Sequence, residues 1–287
     1  MKMKLHPVLV LLPSLLIIFS IAYGPFLLTI YYSTLFYHLY KPGRIAFRGL
    51  YNYVLLFTSQ RFLESILKTI LFMVVAASIE CIIGLFIALL FFKDLPGIKV
   101  FRSVVIIPMV VPPVVAALMY RLVLDPISGP ISFSLSLIGL HTPEWFGHES
   151  ALFTMALIDA WQWTPFFFLV FLTGLMNIDK EEMEAADIDG ASFPQKLIYI
   201  ILPHLKQLAL IALLIRAIDS FKVFDIIFTL TRGGPGRATE VLSIYIYQQT
   251  FESGLIGIGA AASIITFMFL MAIGNFLLRS IVKARIR

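Results

Sequence analysis

The chain predicts an all-α membrane protein with six transmembrane helices. Two observations carry that fold class. Of 287 residues, 60% are hydrophobic and only 14% charged, whereas soluble domains run about 45–50% apolar and about 25% charged. The apolar residues also gather into six stretches, each near the roughly 20 residues that a spanning helix needs. A mean hydropathy of +0.93 excludes a water-soluble enzyme core, which could not hide so much apolar surface, and equally excludes disorder. The net charge of +5 reads as the Lys and Arg excess of cytoplasmic loops and not as a nucleic-acid footprint. Cys81 is the single cysteine, so no intrachain disulfide framework and no cysteine metal cluster are expected.

The first predicted span runs from Val8 to Tyr31, the second from Ile66 to Phe92 and the third from Val104 to Val123. The fourth covers Ala151–Leu175, the fifth Pro203–Leu230 and the sixth Leu255–Leu278. Lys2 and Lys4 followed by an apolar run resemble a signal peptide, with Ser20-Ile21-Ala22 as a cleavage site. The run continues to Ile30, long enough to span, and is read as a retained helix. Alternate loops carry twelve and six basic residues: Lys2, Lys4, Lys93, Lys99, Arg102, Lys180, Lys196, Lys206, Arg279, Lys283, Arg285 and Arg287 against Lys41, Arg44, Arg48, Arg61, Arg232 and Arg237. The richer side is expected to be cytoplasmic, which places both termini in the cytoplasm of a multi-pass inner-membrane protein. Residues 1–65 are expected to form the first helix and an external loop, 66–279 the core, and 280–287 a cytoplasmic tail.

The cytoplasmic loop within 177–203 is the one internal loop long enough to fold. Asp179 can cap a helix, with Glu182 completing a capping box. Gly190 can supply a left-handed stop, Ser192 and Pro194 a restart, and Pro203 entry into the fifth span. From these residues alone, such a helix–turn–helix is either a surface linker or an element that lies in a groove of another protein.

The string Glu184-Ala185-Ala186, three residues, Gly190, nine residues, Ile200, one residue, Leu202-Pro203 resembles the EAA loop of ABC importer permeases at every fixed position. Trp161-Gln162-Trp163-Thr164-Pro165-Phe166, Asp189-Gly190-Ala191-Ser192 and Leu230-Thr231-Arg232-Gly233-Gly234-Pro235 resemble the carbohydrate-uptake, maltose-permease-type members. The resemblance implies a type I importer fold in which the loop is a coupling helix docked on an ATP-hydrolysing subunit. It implies that Glu184 and Gly190 shape the docking turn, and that Ala185, Ala186, Asp187 and Phe193 contact the ATPase. The implied partners are a second, similar permease, two ATP-binding cassette subunits, an external solute-binding protein and membrane lipid.

Ionisable residues at membrane depth usually face a bundle interior or a watery cavity. Arg216, Asp219 and Ser220 fall on one face of the fifth span, and Asp159, Gln162, Trp163 and Phe166 on one face of the fourth. Such stripes suit a sugar, whose hydroxyls need polar partners and whose C–H face stacks on aromatic rings. The resemblance adds Met109 of the Pro108–Pro112 segment. Arg216–Asp219 and Lys222–Asp225 have the spacing of pairs that merely neutralise each other, and both readings stand open. Glu80 has no evident partner and is expected to make an interhelical hydrogen bond. Arg121 and Asp125 look like an interfacial ion pair, and Gly254, Gly257, Gly259 and Ala260–Ala262 like a close-packing face.

No phosphate loop, zinc motif or nucleophile elbow is present in the sequence. The chain is therefore expected to bind no cofactor and no metal and not to be an enzyme, with ATP and magnesium held by the partner ATPase. The expected function is the membrane subunit of an ATP-driven importer of a sugar, such as trehalose or maltose, or a polyol. The same architecture carrying glycerol phosphate and an ion-coupled secondary transporter are the alternatives. The second would use Glu80, Asp159 and Asp219 as coupling sites, but no inverted repeat is evident.

Overall fold

A computed structural model describes residues 7–41, 43–92 and 97–286, with side chains described from Leu12 through Phe276 and at Leu278 and Arg279. Lys2, Lys4, Lys93 and Arg287, and the side chains of Lys283 and Arg285, lie outside the described residues. The chain divides into two compact units, residues 1–63 with 245–269 and residues 64–244 with 270–287.

In the first unit, α1 (Pro7–Ser33) is a helix whose apolar side chains are exposed along the described length. Its length and hydropathy are those of a membrane-crossing helix. A short antiparallel pair, β1 (Leu35–Phe36) and β2 (Ala46–Phe47), and helix α2 (Tyr51–Thr58) make up the loop that follows α1. Asn52 Nδ2 donates to the carbonyls of Ser33 and Leu35, both at 2.8 Å, and pins α2 beneath the strand. The predicted small-residue face opens α13 (Ile256–Ile286) and does pack closely. Its neighbour is the loop after α1: a Cβ at Gly257 would stand 2.1 Å from the Leu35 carbonyl oxygen.

The second unit is built around α7 (Ala151–Met176), the most enclosed of the spanning helices. The N-terminal half of α7 packs Met155, Ala156 and Ile158 against Phe72, Ile226, Ile227, Val241 and Ile244. Its C-terminal half packs Phe167, Phe168, Phe171 and Leu175 against Ala88, Ile201, Leu205 and Ala212. Between these two apolar clusters lies the polar stretch Asp159–Thr164. Two glycines permit the close approach: a Cβ at Gly84 of α3 (Gln60–Phe91) would meet Phe167 Cβ at 2.5 Å. One at Gly174 would meet Leu205 Cδ2 at 2.4 Å. Leucine at either position is expected to lower stability by about 1–3 kcal/mol through overpacking. Thermal unfolding of the purified chain in detergent reads this, and an unchanged midpoint contradicts it.

The third span differs from expectation. It is two helices, α4 (Ile98–Val110) and α5 (Pro113–Val123), bent by 97°. Val111 (ψ 127°) and Pro112 (ψ 140°) each precede a proline, whose ring drives the residue before it out of the α region. Arg121 and Asp125 form no ion pair. Asp125 instead accepts from the Ser128 and Ile127 amides and the Ser128 hydroxyl, which hold its carboxyl below the usual carboxylate range. After the loop helix α6 (Pro130–Leu137) comes α7.

The fifth span is longer than predicted at one end and interrupted at the other. Helix α9 (Phe193–Lys196) runs through a π turn (Leu197–Ile201) into α10 (Leu202–Phe221) without a stop. Pro203 does not begin the span. Its missing N–H and its ring clash with the Tyr199 carbonyl account for the widened turn. A break at Lys222–Phe224 then separates α10 from α11 (Asp225–Leu230), where the Val223 carbonyl accepts from the Ser243 hydroxyl. The Gly233–Gly236 stretch is a turn, as predicted, with positive φ at Arg232, Gly233, Gly236 and Arg237.

Candidate functional site

Arg216 is the centre of the second unit's polar chemistry. It is 1% exposed, and its guanidinium reaches three helices. Nε donates to Glu80 Oε2 at 2.7 Å and Nη2 to Glu80 Oε1 at 2.6 Å, a bidentate pair across α3 and α10. Nη2 also donates to Asp159 Oδ2 of α7 at 2.5 Å, and Nη1 to Asp219 Oδ2 at 2.9 Å. The indole of Trp163 lies 4.8 Å away, face-on to the cation. Glu80 is fully buried, so the interhelical hydrogen bond expected of it is present. Its partner could not be read from a position 136 residues away along the chain. Asp219 also faces Lys222 at 3.9 Å, the neighbour that spacing alone assigned to Asp225.

Beside this network lies a cavity of about 280 Å³. Six of the eight residues proposed from sequence line it: Asp159, Gln162, Trp163, Arg216, Asp219 and Ser220. Phe166 lines an adjoining recess with Trp163, Asp219 and Lys222, while Met109 lines neither. Pro113 and the run Lys222–Ile226 complete the wall. They enter because the helix breaks at Val111–Pro113 and Lys222–Phe224 turn backbone toward the cavity, which periodicity does not foresee.

Two wall residues hold unspent hydrogen-bonding capacity. Gln162 Nε2 donates to the Val111 carbonyl at 2.5 Å, released by the bend before α5, but its Oε1 is buried without a protein partner. Ser220 Oγ is likewise buried without one. Buried polar groups normally find partners, and neither atom is open to the cavity in this conformation. Arg216, by contrast, spends four bonds on protein carboxylates and chiefly ties the wall together.

The loop within 177–203 folds as predicted in outline. Helix α8 spans Lys180–Ile188, and Asp179 caps it by accepting from the Glu181 amide at 3.2 Å. Glu182 does not close a capping box. It lies 3.3 Å from His204 Nε2, linking α8 to the start of α10. Gly190 takes φ +71°, and the Ala191 amide reaches back to the Ala186 carbonyl at 2.9 Å. That is a Schellman-type stop. Ser192 restarts the helix by donating from its amide and its hydroxyl to Gln195 Oε1. Asp187 pairs with Lys196 across the turn. Of the residues singled out here, Glu184, Ala185, Asp187, Gly190 and Phe193 are exposed and Ala186 is half-buried. Beneath them, Met183 packs on the C-terminal cluster of α7.

Comparison with known proteins agrees with this architecture. The profile described as "Binding-protein-dependent transport system inner membrane component" matches residues 80–287. A trehalose/maltose transport system permease protein, MalF, of Thermococcus litoralis is 39% identical over 79% of this chain and 77% of its own length. A probable ABC transporter permease of Sinorhizobium fredii is 36% identical over 91% of this chain and 85% of its own. A bacterial ABC transporter involved in import of alginate superposes with a TM-score of 0.81 at 24% identity, covering 96% of this chain and 94% of that one. The chain belongs to the family of inner-membrane components of binding-protein-dependent transport systems, the permease subunits of ABC importers.

Proposed function

We propose that the chain forms one half of the translocation pathway of an ATP-driven importer of a sugar, a di- or oligosaccharide such as trehalose or maltose, or a polyol. Its family makes it a transport subunit and not an enzyme, and speaks against the ion-coupled alternative. The observation that carries the sugar reading is the cavity between α7 and α10. Gln162, Ser220, the Asp219 carboxylate and the Trp163 ring share one wall. The name of the Thermococcus litoralis relative points the same way.

The partners in this reading are a second, similar permease, two ATPase subunits that hold ATP and magnesium, and an external solute-binding protein. The excess of Lys and Arg on the α8 side supports cytoplasmic termini. Residues 66–279 act as the permease core, with the first helix and external loop as its flank. Glu184, Ala185, Ala186, Asp187, Gly190 and Phe193 form the face that docks on the ATPase. The route from dock to cavity is mechanical. From Phe193 to Asp219 the chain is helical, about 39 Å at 1.5 Å per residue. Displacement of α8 therefore acts on a rod that carries Arg216, Asp219 and Ser220, and alternates the cavity between two sides of the membrane.

Uptake by the reconstituted importer tests this. Transport is expected to require ATP and a binding protein and to survive an uncoupler. Gln162→Ala and Asp219→Ala are each expected to weaken uptake about fivefold, the loss of one hydrogen bond worth about 1 kcal/mol. Unchanged uptake kinetics in both variants would move the sugar contact elsewhere.

A further inference from the structure

A second cavity, of about 320 Å³, lies between the N-terminal halves of α3 and α7. The two helices run side by side in the same direction. Phe72 packs with Met155 and Ala156, and further along a Cβ at Gly84 would meet Phe167. The cavity's charges therefore gather at one end. Lys68 precedes Leu71, Phe72 and Val75 on α3, and His148 and Glu149 precede Leu152, Phe153 and Ala156 at the start of α7. Phe72 and Ala156 are buried and form the floor. Leu71 and Phe153 are each 53% exposed, so the slot opens along its length as well as at its charged end.

That order of polarity is the membrane's own. Lys68 and Glu149 are the last charged residues before two apolar runs, which continue to Phe92 and to Met176. The only charges within those runs, Glu80 and Asp159, are both bonded to Arg216. Helices α3 and α7 are each long and apolar enough to cross a bilayer. Lys68 and Glu149 thus stand at headgroup level, and the slot descends from them toward hydrocarbon. The rim also selects a headgroup. Lys68 spends one N–H on the Arg237 carbonyl at 2.7 Å, and an ammonium carries three. Glu64 stands 4.0 Å from the same Nζ, and Glu149 lines the cavity. A purely anionic group would meet these carboxylates with nothing to offer them. A phosphate with a tethered primary ammonium satisfies both signs.

We propose that the slot between α3 and α7 is a phospholipid site selective for phosphatidylethanolamine. Lys68 holds the phosphate, Glu149 accepts from the primary ammonium, and one acyl chain lies along Phe72, Leu152 and Ala156. The volume is at the small end for ligand clefts and takes the upper part of one chain. Lodged there, the lipid ties α3 to α7 on the flank of the apolar cluster that borders the Arg216 network. The site requires neither the sugar reading nor an assignment of sides.

Photocrosslinking tests the site. Benzoylphenylalanine replaces Phe153 in the full chain, studied in its purified assembly. The vesicles hold equal parts of phosphatidylethanolamine, phosphatidylglycerol and phosphatidylcholine, and the adducts are identified by mass. Illumination is expected to attach lipid, with phosphatidylethanolamine about fivefold over phosphatidylcholine, whose trimethylated nitrogen has no N–H for Glu149. Lys68→Gln and Glu149→Gln are each expected to lower the phosphatidylethanolamine adduct about fivefold, the loss of one hydrogen bond. Lys99→Gln, an exposed lysine that does not line the slot, is expected to leave it unchanged. Attachment to a polypeptide overturns the proposal, because a protein partner then fills the slot. Equal yields of the three lipids, yields indifferent to both rim variants, or no lipid adduct overturn it as well. The readout is independent of transport, so failure of the sugar reading leaves it intact.

Discussion

Arg216→Met is expected to lower the stability of the chain by about 3–5 kcal/mol, the cost of breaking a buried ion pair from one side. The guanidinium is the only basic group bonded to Glu80 and Asp159 among the described residues, and both carboxylates are buried. Without it, two carboxylates face each other in a region of low dielectric, bounded on either side by apolar clusters. The measurement is the thermal midpoint and the monodisperse yield in detergent. A triple variant, Arg216→Met with Glu80→Gln and Asp159→Asn, is expected to recover most of the loss. Replacing every member of a buried ionic group by neutral residues is often close to neutral. Arg216→Lys is expected to fall between, since one ammonium cannot supply the fork to Glu80 together with the Asp159 and Asp219 bonds. A single variant as stable as the parent chain shows that the three helices are held by packing alone.

The second large effect is expected in transport with little change in stability. Gly190 stands at φ +71° with nothing within 4 Å of where a Cβ would lie. A side chain there meets no neighbour, and the penalty is purely that of the left-handed backbone, about 1–2 kcal/mol. Gly190→Val therefore shifts the population of the α8–α9 turn by a factor of about 5–30. ATP-driven uptake is expected to fall by a similar factor while the unfolding midpoint stays with that of the parent chain. Gly190→Asn is expected to restore most of the activity, because asparagine tolerates this conformation. Equal transport by the valine and glycine forms means that the turn between α8 and α9 is not read by a partner.

Both expectations rest on features that the sequence discloses unequally. The loop of α8 and α9 is local. Asp179, Gly190, Ser192 and Pro194 act on backbone within a few residues of themselves, so cap, stop and restart follow from residue chemistry. The exception, Glu182, was captured by His204 in place of closing the capping box, a contact made across a fold. The site is partly legible for the same reason. Helical spacing correctly places Asp159, Gln162 and Trp163 together, and Arg216, Asp219 and Ser220 together. That the two groups meet in one cavity, and that Met109 stands apart from it, depends on how α7 and α10 cross.

Membrane residence, the number of apolar segments and the turn between α8 and α9 are determined by sequence alone. Each arises from a property summed over one stretch of chain: hydropathy over about 20 residues, or dihedral preference over three or four. The fate of the charges was decided only in three dimensions. Glu80 gains a partner 136 positions away, Asp125 abandons Arg121 for its own turn, and the third and fifth spans break where prolines or tertiary contacts take over backbone bonds. In hydrocarbon a charge or a free carbonyl cannot be left to solvent, so its partner is whatever helix the fold brings within reach.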